Sequence, residues 1–139
     1  MGDLKLTYQV DGGDLVQAGE ASSQMKMTLK KLGLPPEIIR KASVCMYEGE
    51  INMVIHAHGG KITVTVDDDA VTMVLADIGP GIPDVEKAMQ AGWSTASEAV
   101  RQQGFGAGMG LPNMKKNADT LEIDTVVGVG TTVTAVVRL

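Results

Sequence analysis

Glu48, Asn52 and His56 recur every fourth residue within "KASVCMYEGEINMVIHAHGG". On a helix that spacing places the three side chains on one face. A carboxylate one turn from a carboxamide suits a metal–phosphate site. Mg2+ prefers oxygen ligands and usually takes few of them from protein, the rest coming from phosphates and water. Asn52 would supply one neutral carbonyl oxygen, and Glu48 is placed to act as a general base towards a hydroxyl or a water. His56 reads as structural, and Glu50, which points elsewhere on the helix, as solvated. The same stripe also fits the wet face of an amphipathic helix, although Ala42, Cys45, Met46, Ile51 and Ile55 supply apolar surface around it. Gly49 in mid-helix costs roughly 1 kcal/mol relative to Ala, which implies that something approaches the helix closely there.

Three further stretches carry unusual backbone chemistry. "DIGPGIP" (77–83) sets two glycines and two prolines behind Asp77 at the end of an apolar run. Gly79 and Gly81 permit close backbone approach or positive φ, but an Asp-initiated turn has the same composition. "GFGAGMG" (104–110) has a glycine at every second position just before a predicted helix. Its bare N–H groups would suit a phosphate, or the segment is a flexible linker. "GVGTTV" brings Gly130, Thr131 and Thr132 to a hairpin exit. The dinucleotide pattern G-x-G-x-x-G fails at Met109 and Leu111, and G-x-x-x-x-G-K-[ST] is absent. Rossmann and P-loop sites are therefore rejected.

The elements that must position these residues follow from periodicity. Leu4, Leu6, Tyr8 and Val10 alternate as a half-buried strand. A helical pattern covers Asp14–Leu32, with Asp14 as its N-cap and Gly33 as its stop. A second helix opens at "LPPE" and runs to about His58, ending at Gly59-Gly60. "KITVTV" and "AVTMVLA" form a hairpin through "DDD". A short helix in "DVEKAMQAG", a long irregular stretch, a helix from about Gly110, and a closing hairpin complete the order β-α-α-β-β-(α)-loop-α-β-β. Hairpin strands with helices from separate segments predict an α+β two-layer sandwich. The irregular stretch fits a compact domain if it is functional, for example a ligand lid.

Composition narrows the function. The 139 residues suit one domain. With 3% aromatics and nine Met, the core must be aliphatic and Met-filled. A net charge of −5 leaves no basic footprint for nucleic acid. Cys45 is the single cysteine, so no intrachain disulfide forms. No apolar run reaches membrane-span length, and "MGDLKL" has neither a signal peptide nor a myristoylation pattern. A cytoplasmic, soluble protein is expected.

Taken together and in order, these motifs resemble the ATP-binding superfamily shared by gyrases, heat-shock chaperones, sensor histidine kinases and mismatch-repair ATPases. "EGEIN" with "IHAHGG" looks like its helical N box, "DIGPGIP" like its first glycine box, "GFGAGMGLPNM" like its second, and "GTTV" like its closing strand motif. The bare sandwich is most similar to the bacterial anti-sigma factor and switch serine/threonine kinases, through "GMGLPNMKKNADTLEIDT" and "AGWSTAS". The resemblance implies an α+β two-layer sandwich of the histidine-kinase-like ATPase (Bergerat) type, with a mixed, mostly antiparallel sheet and helices on one face. It implies a single ATP-binding domain over residues 1–139, with an ATP lid at about 84–110.

The resemblance also assigns roles. Glu48 would be the catalytic base and Asn52 the Mg2+ ligand. Asp77 would accept the adenine amino group, with Thr131 nearby through water, and Gly79 and Gly81 would let the chain pass close to the base. Gly106, Gly108, Met109 and Gly110 would line the phosphates. Trp93, Ser94, Thr95 and Arg101 fall in the lid, with Arg101 the nearest cation to the γ-phosphate. The implied cofactors are ATP or ADP and Mg2+. The implied activity is a serine/threonine kinase phosphorylating a small antagonist protein, with a sigma factor or other regulatory target as a second partner and a homodimer as assembly. The alternatives are a nucleotide-sensing binding module without phosphotransfer, and a stand-alone histidine-kinase-type ATPase domain.

Overall fold

The computed structural model describes residues 3–13, 16–89 and 110–139. Among these residues five strands and four helices run in the order expected from the sequence: β1 (Leu4–Asp11), α1 (Glu20–Lys31), α2 (Pro36–His56), β2 (Gly59–Val66), β3 (Ala70–Asp77), α3 (Val85–Ala88), α4 (Gly110–Asn117), β4 (Thr120–Val126) and β5 (Gly130–Arg138). The sheet order is β1-β2-β3-β5-β4. Among the described residues all four pairings are antiparallel, where the resemblance implied a mixed, mostly antiparallel sheet.

Alternation along each strand decides which face is covered. Val10, Ile62, Val64, Val66, Val71, Met73, Leu75, Val133, Ala135 and Val137 all point inward and are buried. Their outward neighbours are threonines and charged residues such as Thr63, Thr72, Thr134 and Glu122. The helices pack on the apolar face, giving two layers around one core. Methionines fill that core as the composition requires: Met25, Met46, Met53, Met73 and Met114 are fully buried. Among the described residues no helix is long and apolar enough to cross a membrane.

The turns follow local chemistry. In "DDD", Asp67 Oδ1 accepts from the N–H groups of Asp69 (2.7 Å) and Ala70 (2.8 Å), which closes the β2–β3 hairpin. α2 ends at His56, where Ala57 turns extended, two residues short of the expected end at His58; Gly59 and Gly60 are instead the first residues of β2, paired with Asp11 and Val10.

The start of α1 differs from expectation. The helix begins at Glu20, with Gly19 as N-cap, and no side chain of its own caps it. Asp14 lies outside the described residues. The cap comes from α2 instead. Glu50 Oε2 accepts from the N–H groups of Gly19 (3.1 Å) and Ala21 (3.2 Å), and Oε1 accepts from Ser22 N (2.9 Å) and Ser22 Oγ (2.6 Å). Glu50 is therefore only 2% exposed, not solvated as its position off the stripe implied. The first turn of a helix has orphan N–H donors and a partial positive charge, so a carboxylate there is both needed and stabilised. A buried carboxylate left unpaired would cost several kcal/mol; this one has four donors.

Candidate functional site

Helix α2 is the floor of the site, and Gly49 explains how it sits. A Cβ on Gly49 would collide with the side chain of Leu75 on β3 and lie 3.3 Å from Met114 on α4. The close approach that a mid-helix glycine implied is therefore to the protein's own core. It lets α2 settle against both the sheet and α4. Glu48 and Asn52, one residue before Gly49 and three after it, then flank this contact as partly buried residues.

Both side chains meet the beginning of α4. A Cβ on Gly110 would stand 2.9 Å from Asn52 Nδ2 and 3.0 Å from its Oδ1, so the carboxamide lies directly against the first residue of α4. One turn along, Asn113 Nδ2 donates to Glu48 Oε1 at 3.3 Å. Glu48 and Asn52 are thus brought together with the end of the second glycine segment. Asn113 was missed from sequence. Its signal is that it stands three residues after Gly110, one helical turn away on the same face.

The other end of the site is built from Asp77. Its Oδ1 accepts from Thr131 N at 2.8 Å. The Thr131 and Thr125 hydroxyls lie 2.9 Å apart, and Thr125 Oγ1 also accepts from Ile82 N at 2.8 Å. Burial pushes the Asp77 carboxyl pKa up, and the Thr131 hydrogen bond partly offsets it. Thr125 was also missed. Its signal lies in the register: Thr125 pairs with Thr131, and both fall on the inward rails of their strands at the same end. Two polar residues facing inward together need partners.

The backbone after Asp77 is latched to the β4–β5 turn. Gly79 N donates to Val129 O (3.1 Å) and Gly128 N donates to Pro80 O (2.8 Å). Gly81 has φ 76°, a conformation that side chains rarely adopt. A Cβ on Gly79 would lie 2.9 Å from the Ala57 side chain, just past α2. Both glycines are required by the chain's own packing, apart from any ligand. His58 N donates to Ile78 O at 2.7 Å, so the end of α2 is tied to the same loop. Thr95, Arg101, Gly106, Gly108 and Met109, with Trp93 and Ser94, lie outside the described residues.

Residues 13–137, nearly the whole chain, match the family model described as "Histidine kinase-like ATPase domain". The chain belongs to the histidine kinase-like ATPase family. Membership accounts for the antiparallel sheet with helices on one face and implies nucleotide use. Three relatives show how near the chain stands to particular members. An anti-sigma F factor of Caldanaerobacter subterraneus subsp. tengcongensis is 36% identical over 102 residues, covering 70% of this chain and 68% of that protein. The serine/threonine-protein kinase RsbT of Bacillus subtilis is 30% identical over 111 residues, 77% of each chain. An anti-sigma F factor of a Thermoanaerobacter species is 33% identical over 70% of this chain and 68% of its own.

Proposed function

We propose that this histidine kinase-like ATPase domain is an anti-sigma-type serine/threonine protein kinase, which transfers the γ-phosphoryl group of ATP to a hydroxyl on a small antagonist protein. The names of its relatives support the class. The observation that carries the chemistry is the meeting of Glu48 and Asn52 with the start of α4, in the C-terminal half of a helix whose C-terminus is tied to the Asp77 loop. From Glu48 to His56 the helix advances about 12 Å at 1.5 Å per residue, the length scale of a nucleoside triphosphate.

In this reading Asp77 reads the adenine. Thr131 N occupies its Oδ1, leaving Oδ2 to accept the adenine amino group. At the far end Glu48 takes the proton of the incoming Ser or Thr hydroxyl. The oxygen bonds to the γ-phosphorus, the bond to the bridging oxygen breaks, and ADP leaves. Such transfers depend mainly on positioning and charge neutralisation rather than on covalent catalysis.

The residues present fit Mg2+. Among the described residues no group of three His, Cys, Asp or Glu could hold a metal by itself, and Asn52 offers a single neutral oxygen beside Gly110. That donor set suits an ion which draws its other ligands from phosphates and water. When bound, Mg2+ would neutralise phosphate charge.

The working unit in this reading is one domain spanning the chain, with its lid at about 84–110 and α3 on the near edge. Its partners would be the antagonist and a sigma factor or comparable target, and its assembly a cytoplasmic homodimer.

Labelled ATP and a candidate antagonist test the proposal. Wild type should yield an acid-stable phosphoserine or phosphothreonine product. Glu48→Gln should cut transfer by roughly 100-fold or more while ATP affinity holds. Equal transfer by Glu48→Gln refutes the base assignment. An acid-labile phosphoprotein points to the histidine-kinase alternative, and nucleotide-dependent partner capture without transfer to the binding module.

A further inference from the structure

Glu48 works only if its carboxylate is aimed. The terminal torsion of a glutamate is broad, and Glu48 sits on a partly exposed stripe. Among the described residues one directed hydrogen bond holds it: Asn113 Nδ2 to Oε1, 3.3 Å, across 65 positions of sequence. A carboxylate only accepts, so the amide nitrogen of Asn113 must be the atom facing it. Asn113 is itself seated in α4, where its carbonyl accepts from Asn117 Nδ2 at 2.9 Å. The same helix lays Gly110 against the Asn52 carboxamide. Two successive turns of α4 therefore touch the two N box side chains, and α4 sets their relative placement.

We propose that Asn113 is a positioning residue for phosphoryl transfer, holding Glu48 Oε1 so that Oε2 faces the incoming hydroxyl. The proposal rests on the reading of Glu48 as the base. In the step itself the hydroxyl proton passes to Oε2, the freed lone pair forms the O–P bond, and the electrons of the broken P–O bond leave with ADP. Asn113 forms and breaks no covalent bond.

The test uses the full chain with Mg-ATP and the candidate antagonist as phosphoryl acceptor, measuring single-turnover ADP formation, ATP affinity by calorimetry, and the side-chain carboxyl 13C resonance of Glu48. Asn113→Leu should slow ADP formation about tenfold or more, with ATP affinity within threefold of wild type. Asn113→Gln, which keeps an N–H donor, should recover much of the rate. In the double variant, Asn113→Leu should add nothing to Glu48→Gln, because the base it aims is gone. A wild-type rate in Asn113→Leu overturns the proposal, as does an equal loss of ATP affinity, or full additivity with Glu48→Gln. If Glu48→Gln itself turns over at the wild-type rate, the base reading falls and takes this one with it. If Glu48→Gln is slow and Asn113→Leu is not, only Asn113 is wrongly placed. Asn113→Ser guards against misfolding of the leucine variant. The Glu48 resonance must shift in both, and an unmoved resonance overturns the contact whatever the rate.

Discussion

In its proposed role at the adenine, Asp77 would be one carboxylate that is poor for the fold and good for the ligand. Burial raises its pKa, so its ionised form costs the empty protein stability. A folded pKa above the unfolded one means that the folded state holds the proton longer. This cost is absent at low pH and grows as pH rises through the unfolded value to the raised folded one. In the proposed complex an adenine amino group would offer that same ionised form a second hydrogen bond, beside the one from Thr131 N. Two outcomes follow. Calorimetric ADP affinity should fall as pH drops through the raised Asp77 pKa, beginning above the usual aspartate range. Asp77→Asn should remove that pH dependence and weaken ADP binding by about 10- to 150-fold, the worth of a hydrogen bond to a charged group (about 1.5–3 kcal/mol). Its apo melting temperature should stay level or rise at neutral pH, because the Asn oxygen still accepts from Thr131 N. ADP affinity that is flat with pH, or unchanged in Asp77→Asn, would remove Asp77 from the adenine end.

At the scale of elements, α2 does three jobs with successive residues. Glu48 and Asn52 face α4, Gly49 lets Leu75 and Met114 approach, and Glu50 turns to the opposite side to cap α1. The two glutamates of "EGE" differ by two positions, about 200° around a helix, so they serve different neighbours. Their amide variants should separate cleanly. Glu50→Gln keeps one accepting oxygen but turns an NH2 group towards donors. It should lower stability by about 3 kcal/mol, or roughly 10 °C in melting temperature for a domain of this size. Glu48→Gln, whose remaining amide oxygen can still accept its one long and partly exposed contact with Asn113, should melt within a degree or two of wild type. Thermal unfolding followed by circular dichroism checks both, and similar melting temperatures would show that the α1 cap is not set by Glu50. This partition was not legible in the sequence. Spacing correctly grouped Glu48 with Asn52, but periodicity on one helix cannot reveal that a neighbouring helix starts without a cap of its own. Gly19 gave no sign that it needed a carboxylate from 31 residues away.

For the whole molecule, what could be read in advance was what depends on local period and turn chemistry. Leu4 to Val10, "DDD" and "GVGTTV" announced strands and hairpins because alternation and turn residues act over a few positions. The pairing of β3 with β5 rather than β4, and the Thr125–Thr131–Asp77 network, depend on long-range register and emerged only with the fold. Cys45 belongs to the same class. The sequence showed a lone thiol; the structure puts it in the core where α2 meets α4, its Sγ 3.6 Å from Met114 O. Burial first, then the charges of Asp119 and Glu48, push its pKa up to about 11 from an ordinary 9.0. The unfolded chain therefore gives up this proton first, and folding stability falls as pH rises between about 9 and 11. Lysines and tyrosines titrate in the same range, so the comparison is with Cys45→Ala. That variant should be the less stable at pH 8, because it leaves a void in the core. Its deficit against wild type should then shrink steadily towards pH 10.5, where the wild type alone carries the thiol's cost. In native buffer a disulfide reagent should label Cys45 only as fast as the molecule opens, with the rate rising in step with urea-induced unfolding. A deficit constant with pH, or fast labelling without urea, would mean that the α2–α4 seam opens on its own. The aim of Glu48 by Asn113 could not survive such an opening, because the two side chains belong to the two helices that form that seam.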